Sequence, residues 1–216
     1  MTMKLFRDRY DAGRKVAERL AEYENRDDVI VLALPRGGVP VGLEVARALN
    51  APLDVFLVRK LGVPGQEELA MGSIATGGVR VQNEDVVQTL GISTENIERV
   101  ARQEREELMR RESLYRGDRP PPRIKDRIVI LVDDGLATGA SMRAAVRAVK
   151  QMGPRRLVVA VPVADPTICA TIGTEADEVA CVETPEPLYG VGAWYEDFGQ
   201  VTDDEVQAML AQAVQE

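Results

Sequence analysis

The sequence predicts an α/β protein: a central, mostly parallel sheet flanked by helices. Two observations carry this. Short, largely apolar runs at 29–34, 53–58, 127–132 and 157–163 suit buried strands. Segments of helical period alternate with those runs, as parallel βαβ units require. At 216 residues the chain fits a single domain, 1–216, with enough length for a substantial core.

Taken in order, residues 8–24 read as an opening helix, with Tyr10, Val16, Leu20 and Tyr23 on its apolar side. The strand at 29–34 ends in Pro35-Arg36-Gly37-Gly38, a turn that feeds a helix running to about Leu49. After the strand at 53–58, Arg59 to Gly78 holds five glycines and little helical period. It predicts a loop with one short strand near Ala70–Ala75, and Val79–Val81 adds another. Thr94 to Tyr115 predicts a charged helix, with Glu98/Arg102 and Glu106/Arg110 spaced for i,i+4 pairing. Its charge run reads as a solvated face, with pairing against a second subunit as the alternative. Pro120-Pro121-Pro122 is a stiff connector. A strand at 127–132, a helix at 139–152 closed by Gly153-Pro154, a strand at 157–163, a short helix near 166–173 and a strand near 178–182 follow. An amphipathic tail helix covers about 203–214.

Composition excludes several functions. A formal charge of -8 argues against a dedicated nucleic-acid binder. No apolar run is long enough to span a membrane. The start, Met1-Thr2-Met3-Lys4, lacks the apolar stretch of a secretory signal, so a cytoplasmic location is expected. Cys169 and Cys181 lie apart in apolar surroundings and read as small, buried, reduced residues, with a disulfide or a metal site as the alternative. The chain has no histidine. That removes Ser-His-Asp and Cys-His catalysis and most zinc chemistry. Carboxylates, Lys/Arg, hydroxyls, backbone amides and a hard metal ion remain.

Residues 128–142 are the most informative stretch. Five aliphatic residues lead into Asp133-Asp134, then Gly135-Leu136-Ala137-Thr138-Gly139-Ala140-Ser141, then a helix. A Gly-rich turn opening a helix seats a phosphate, because free amides and the helix dipole point at it. Thr138 and Ser141 add hydroxyl donors. In an open α/β sheet this turn lies where ligands bind, beyond the carboxyl ends of the strands. A P-loop needs Gly-Lys-Ser/Thr, and this turn has no lysine. The Gly-x-Gly-x-x-Gly dinucleotide fingerprint is absent after the strands. A receiver domain would explain the acids but not the Thr-Gly-Ala-Ser turn.

Val132-Asp-Asp-Gly-Leu-Ala-Thr-Gly-Ala-Ser141 resembles the 5-phosphoribosyl-1-pyrophosphate (PRPP) signature of type I phosphoribosyltransferases. The resemblance implies that Asp133 and Asp134 hold the ribose hydroxyls and that Ala137, Thr138, Gly139, Ala140 and Ser141 hold the 5′-phosphate. It also implies a pyrophosphate site in the turn after the first core strand, with Arg36 as a charged fork and Gly37 and Gly38 admitting close amides. A non-proline cis peptide is expected there, at Arg36–Gly37. Arg59 and Lys60 are the implied basic residues for pyrophosphate, and Leu61 to Ile74 the mobile loop that closes over PRPP. No role is assigned to Glu67 and Glu68.

Residues 176–200 resemble the base-binding hood of the 6-oxopurine branch, which places the core at about 28–175. Tyr189, Trp194 and Tyr195 are the implied stacking residues, with ordinary packing as the alternative. Glu196 and Asp197 are the metal-side candidates. Mg²⁺ is the implied cofactor, with Asp133, Asp134 and Asp197 as its protein contacts. The branch usually carries an Asp before the Thr-Gly, where this chain has Ala137, and a base-reading Lys after the next strand, where this chain has Val161-Pro162-Val163-Ala164-Asp165-Pro166. The acceptor half of the site therefore departs from that branch. The opening, 94–116 and tail helices are not explained by the resemblance, and the extra helix is compatible with a homodimer. Three functions fit. The first is transfer of phosphoribose from PRPP to a nitrogen acceptor, a nucleobase, with release of pyrophosphate. The second is a PRPP- or nucleotide-sensing regulator. The third is another enzyme class that binds a phosphorylated sugar.

Overall fold

The computed structural model describes residues 5–117 and 119–215, so the chain's first four residues, on which the secretory-signal expectation rests, lie outside the described part. Helix α1 (Arg9–Glu18) starts at Asp8, whose carboxylate caps the Asp11 amide at 2.7 Å. A single 3-10 turn at Ala21–Tyr23 follows, so the opening helix is shorter than its pattern suggested. Strand β1 (Val29–Ala33) leads into α2 (Gly38–Leu49), which Asn50 ends in the left-handed conformation. Next come β2 (Leu53–Val55), β3 (Val58–Val63), β4 (Gln66–Ala75) and β5 (Val79–Gln82). Helices α3 (Glu84–Thr89) and α4 (Thr94–Arg116) precede β6 (Ile128–Val132), α5 (Ala140–Gln151) and β7 (Arg156–Val163). Helix α6 (Pro166–Glu175), β8 (Glu178–Glu183) and α7 (Asp203–Gln215) complete the chain. Asp165 caps α6 ahead of a proline in its first turn. Thr202 and Glu205 form a reciprocal capping box on α7.

The main sheet has the order β2-β1-β6-β7-β8 and is parallel throughout. Every residue of β1 and β6 is buried, as the continuous aliphatic runs require. Val29, Val31 and Ala33 pack on one face with α2, α4 and α7, while Ile30 and Leu32 pack on the other with α5 and α6. The order of winding reverses between β1 and β6. Crevices at such a reversal, outside the carboxyl ends of the strands, are where open α/β sheets bind ligands. Strand β8, where the hood was expected to begin, is the edge strand of this sheet.

The expected loop at 59–78 is instead a hairpin in a second, antiparallel sheet, β3-β4-β5. Its glycines permit close strand pairing. A Cβ at Gly62 would lie 2.8 Å from the Glu67 carbonyl, and one at Gly72 would lie 2.5 Å from that of Val81. The run at 53–58 likewise divides between two sheets. Cys169 of α6 and Cys181 of β8 are bonded to each other, so the disulfide alternative replaces the reduced pair. On α4, Glu98 pairs with Arg80 of β5, and Glu107 pairs with Arg110 and, at i,i+4 spacing, with Arg111, in place of the expected partners Glu98/Arg102 and Glu106/Arg110. Among the described residues no helix is long and apolar enough to cross a membrane.

Candidate active site

The carboxyl ends of β1 and β6 lie side by side, tied by the Leu34 amide on the Val132 carbonyl at 2.9 Å. The turn at 35–38 therefore faces Asp133 and Asp134 directly. A Cβ at Gly37 would fall 2.0 Å from Asp134 Oδ2, and one at Gly38 would fall 2.9 Å from the Asp133 Cα. The non-proline cis peptide is present one residue earlier than expected, at Pro35–Arg36.

The acids are held asymmetrically. Asp133 Oδ1 accepts the Asp134 amide at 2.8 Å. Asp134 Oδ2 accepts Arg9 Nε at 2.8 Å. Among the described hydrogen bonds, the other oxygen of each carboxylate has no protein donor. Burial, and then the neighbouring charge of Asp134, pushes Asp133 well above the usual carboxylate range. Burial also raises Asp134, against the pull of Arg9. The two oxygens left open can thus meet two adjacent hydroxyls, or a cation.

Beyond the acids, Leu136 is stitched to the end of β7 through the Val163 carbonyl at 2.9 Å. Gly139 takes φ +67 at the N-terminus of α5, packed so tightly that a Cβ would meet Ile168 Cγ2 at 2.5 Å. The Thr138 hydroxyl accepts the Ala140 amide at 3.4 Å. The amides of Ala137, Thr138, Gly139 and Ser141 donate to no protein acceptor among the described residues. Their number at the start of a 12-residue helix makes an anion seat.

The cations divide. Lys60 borders a groove of about 320 Å³ that it shares with Ala140, Ser141 and Arg143, while its ammonium rests on Glu68 of β4, 3.3 Å from the carbonyl and 3.6 Å from the carboxylate. Arg59 points the other way and binds Glu104 of α4 at 2.7 Å. Arg36 stands 3.7 Å from Asp203 at the start of α7. The Asp203 carboxylate also accepts the Tyr115 hydroxyl at 2.6 Å.

The aromatic residues correct the sequence reading. Tyr189 is 82% exposed and free to stack. Trp194 is half-buried, packed beside Phe6 and Tyr195, and its carbonyl accepts the Leu5 and Phe6 amides. Tyr195 is no stacking residue. It is buried, and its hydroxyl donates to the Asp134 carbonyl at 2.7 Å. Packing, the alternative reading, holds for it. Glu196 and Asp197 are exposed, and Asp197 accepts the Gly199 amide at 3.0 Å.

Asp133, Asp134 and Asp197 do not assemble into a metal site: among the described residues no three His, Cys, Asp or Glu side chains converge for one. The donor set fits Mg²⁺ only in the form that keeps most of its ligands as water and substrate oxygens, with one or two carboxylates from the chain.

Two residues were missed. Arg9 binds Asp134, and Phe198 lies under the Arg9 guanidinium at 3.8 Å. Arg9 had one local signal, since a cation in a helix's first turn opposes the dipole and needs another purpose.

A phosphoribosyl transferase domain model matches residues 6–183. Proteins from two strains of Mycobacterium tuberculosis, CDC 1551 and H37Rv, provisionally named phosphoribosyl transferases, are 48% identical over 211 residues, covering 98% of this chain and 47% of each relative. The chain thus spans about half the length of those relatives. The crystal structure of TT1426 from Thermus thermophilus has a TM-score of 0.87 at 47% identity, covering 96% of this chain and 98% of that one.

Proposed function

The chain belongs to the phosphoribosyl transferase domain family, and from that premise we propose that it transfers the 5-phosphoribosyl group of PRPP to a nitrogen acceptor, a nucleobase, and releases pyrophosphate. The observation that carries this is the acid pair. Each carboxylate keeps one open oxygen, and the pair stands between two anion-accepting turns, 35–38 and 137–141. PRPP has the matching order: pyrophosphate, a vicinal diol, then a 5′-phosphate.

In this reading the bond from C1 to the pyrophosphate oxygen breaks as a bond from the acceptor nitrogen forms on the opposite face. The amides of 137–141 and the Thr138 and Ser141 hydroxyls fix the phosphate. Asp133 and Asp134 fix the ribose and offer negative charge to a ribosyl cation. Arg36 and the Gly37 amide draw charge onto the leaving pyrophosphate, with Lys60 joining them once it leaves Glu68, while the Gly38 amide stays on the Leu34 carbonyl at 3.1 Å. Bound Mg²⁺ would neutralise pyrophosphate charge, held by the open oxygens of Asp133 and Asp134 and by the substrate. The acceptor nitrogen gives up one proton, which solvent water takes up, so the step does not call for a histidine, and the chain has none. Positioning and charge carry the rate.

Pyrophosphate release from PRPP and Mg²⁺ over a panel of nucleobases tests the activity. Asp133→Asn with Asp134→Asn should abolish PRPP binding, and undiminished affinity would remove the assignment. Ala137 and the lysine-free segment 161–166 favour one second reading, a PRPP-sensing regulator. It prevails if PRPP binds and no base turns over.

A further inference from the structure

We infer that Arg9, on α1, is a positioning residue for the ribose acids: it fixes the Asp134 carboxylate and latches it to the segment after β8. This rests on the PRPP reading above. Arg9 divides its donors between two parts of the molecule. Its Nε binds Asp134 Oδ2 at 2.8 Å and its Nη1 binds the Gly199 carbonyl at 2.7 Å. The guanidinium plane is supported by Phe198, and Phe198 in turn packs on Tyr195 with ring centres 4.8 Å apart. Tyr195 closes the circuit on the Asp134 carbonyl. One aspartate is therefore gripped by its side chain through Arg9 and by its main chain through Tyr195, and residues 195–199 supply the second grip and support the first.

The side chains of Arg9 and Asp134 are only 11% and 17% exposed, so their pairing is weakly screened. The arrangement solves two problems. A short carboxylate with one bond to Arg9 presents its other oxygen in a set direction, which a vicinal diol requires. Two adjacent acids would also repel a polyanionic substrate, and Arg9 cancels one of the charges. The planar fork suits this better than an ammonium, because two acceptors at different angles are held at once.

The test compares two probes on the full chain by calorimetry and phosphorus NMR: ribose 5-phosphate, which uses the acids, and inorganic phosphate, which uses only the amide turn. Arg9→Met should weaken ribose 5-phosphate about tenfold, the loss expected for one charged hydrogen bond, and leave inorganic phosphate unchanged. Arg9→Lys should recover part of the loss. Tyr195→Phe keeps the ring packing, so it carries the test should Arg9→Met fail to fold; it should shift the ratio of the two affinities in the same direction. Unchanged ribose 5-phosphate affinity, or equal weakening of both probes, overturns the positioning role and leaves the family reading intact. If the unaltered chain binds neither PRPP nor ribose 5-phosphate, the transfer reading itself fails, and the inference with it.

Discussion

Gly37→Ala isolates the contact between the two walls of the crevice. The backbone accepts the change, since Gly37 has φ -61 and ψ -30, ordinary values for alanine. The obstacle is the new methyl group, which would lie 2.0 Å from Asp134 Oδ2 and 2.7 Å from its Cγ. The carboxylate has to move by about 1 Å, breaking its 2.8 Å bond to Arg9. A hydrogen bond between charged groups is worth about 1.5–3 kcal/mol. Replacing glycine returns about 0.4–1 kcal/mol by restricting the unfolded chain. The net loss should be about 1–2 kcal/mol, read as a lower urea midpoint at constant m-value. PRPP affinity should fall by at least about tenfold, because the carboxylate moves as a unit and its open oxygen no longer faces the ribose. Gly173→Ala is the control: its Cβ would meet only Val179 at 3.9 Å, and helix propensity should make it neutral or stabilising. Unchanged stability and unchanged PRPP affinity in Gly37→Ala would refute the argument that this turn and Asp134 constrain each other.

Arg116→Met should cost about 3 kcal/mol in urea unfolding, because the buried Arg116 side chain bonds Asp54, Glu112 and the Val55 carbonyl, and truncation leaves Asp54 charged and enclosed; a loss below about 1 kcal/mol would show that these contacts are replaced by water. The Tyr115 hydroxyl is pushed up to about 12, first by burial and then by its bond to Asp203. A raised value means the stabilisation is complete below the unfolded value of 10.0 and is lost as pH rises through about 12. Tyr115→Phe should therefore show a shallower alkaline loss of stability between those limits, and an identical profile would count against the bond. Gly139→Ala should cost at least about 1 kcal/mol for the left-handed conformation alone, and it should weaken inorganic phosphate binding, which calorimetry can measure.

What was legible in the sequence was local. Strand, acids, turn and helix at 128–152 are contiguous, so apolar runs, glycines and helical period describe them together. The same holds for the turn at 35–38. What was not legible depended on partners remote in sequence. The hydroxyl of Tyr195 and the guanidinium of Arg9 reach Asp134 across 61 and 125 residues. No local pattern says which way a tyrosine ring faces, so a residue that supports the acid pair from beneath read as one that stacks over a base. The hairpin at 58–75 was hidden because Gly62 and Gly72, which read as loop residues, stand where neighbouring strands come closest. The cysteine pair was hidden for a related reason: the crossover through α6 had to be folded before residues 169 and 181 could meet.

Two of the three helices left unexplained by the family resemblance, α4 and α7, hold Arg59 and Arg36. Glu104 of α4 binds Arg59 at 2.7 Å, with both side chains less than one third exposed. Asp203 of α7 approaches Arg36 only to 3.7 Å, at 37% and 45% exposure. Exposed pairs of the second kind are worth at most about 1 kcal/mol. A pyrophosphate offers the same guanidinium two parallel charge-assisted bonds, each stronger than a neutral one. Exchange of Asp203 for pyrophosphate is therefore favourable at Arg36, whereas releasing Arg59 would break a shorter and better shielded bond. In the proposed reading Arg36 would serve the anion, Lys60 could join it by leaving the fully exposed Glu68, and Arg59 fastens the hairpin to α4. Asp203, held in turn by Tyr115, is then the partner that Arg36 would leave when a pyrophosphate binds.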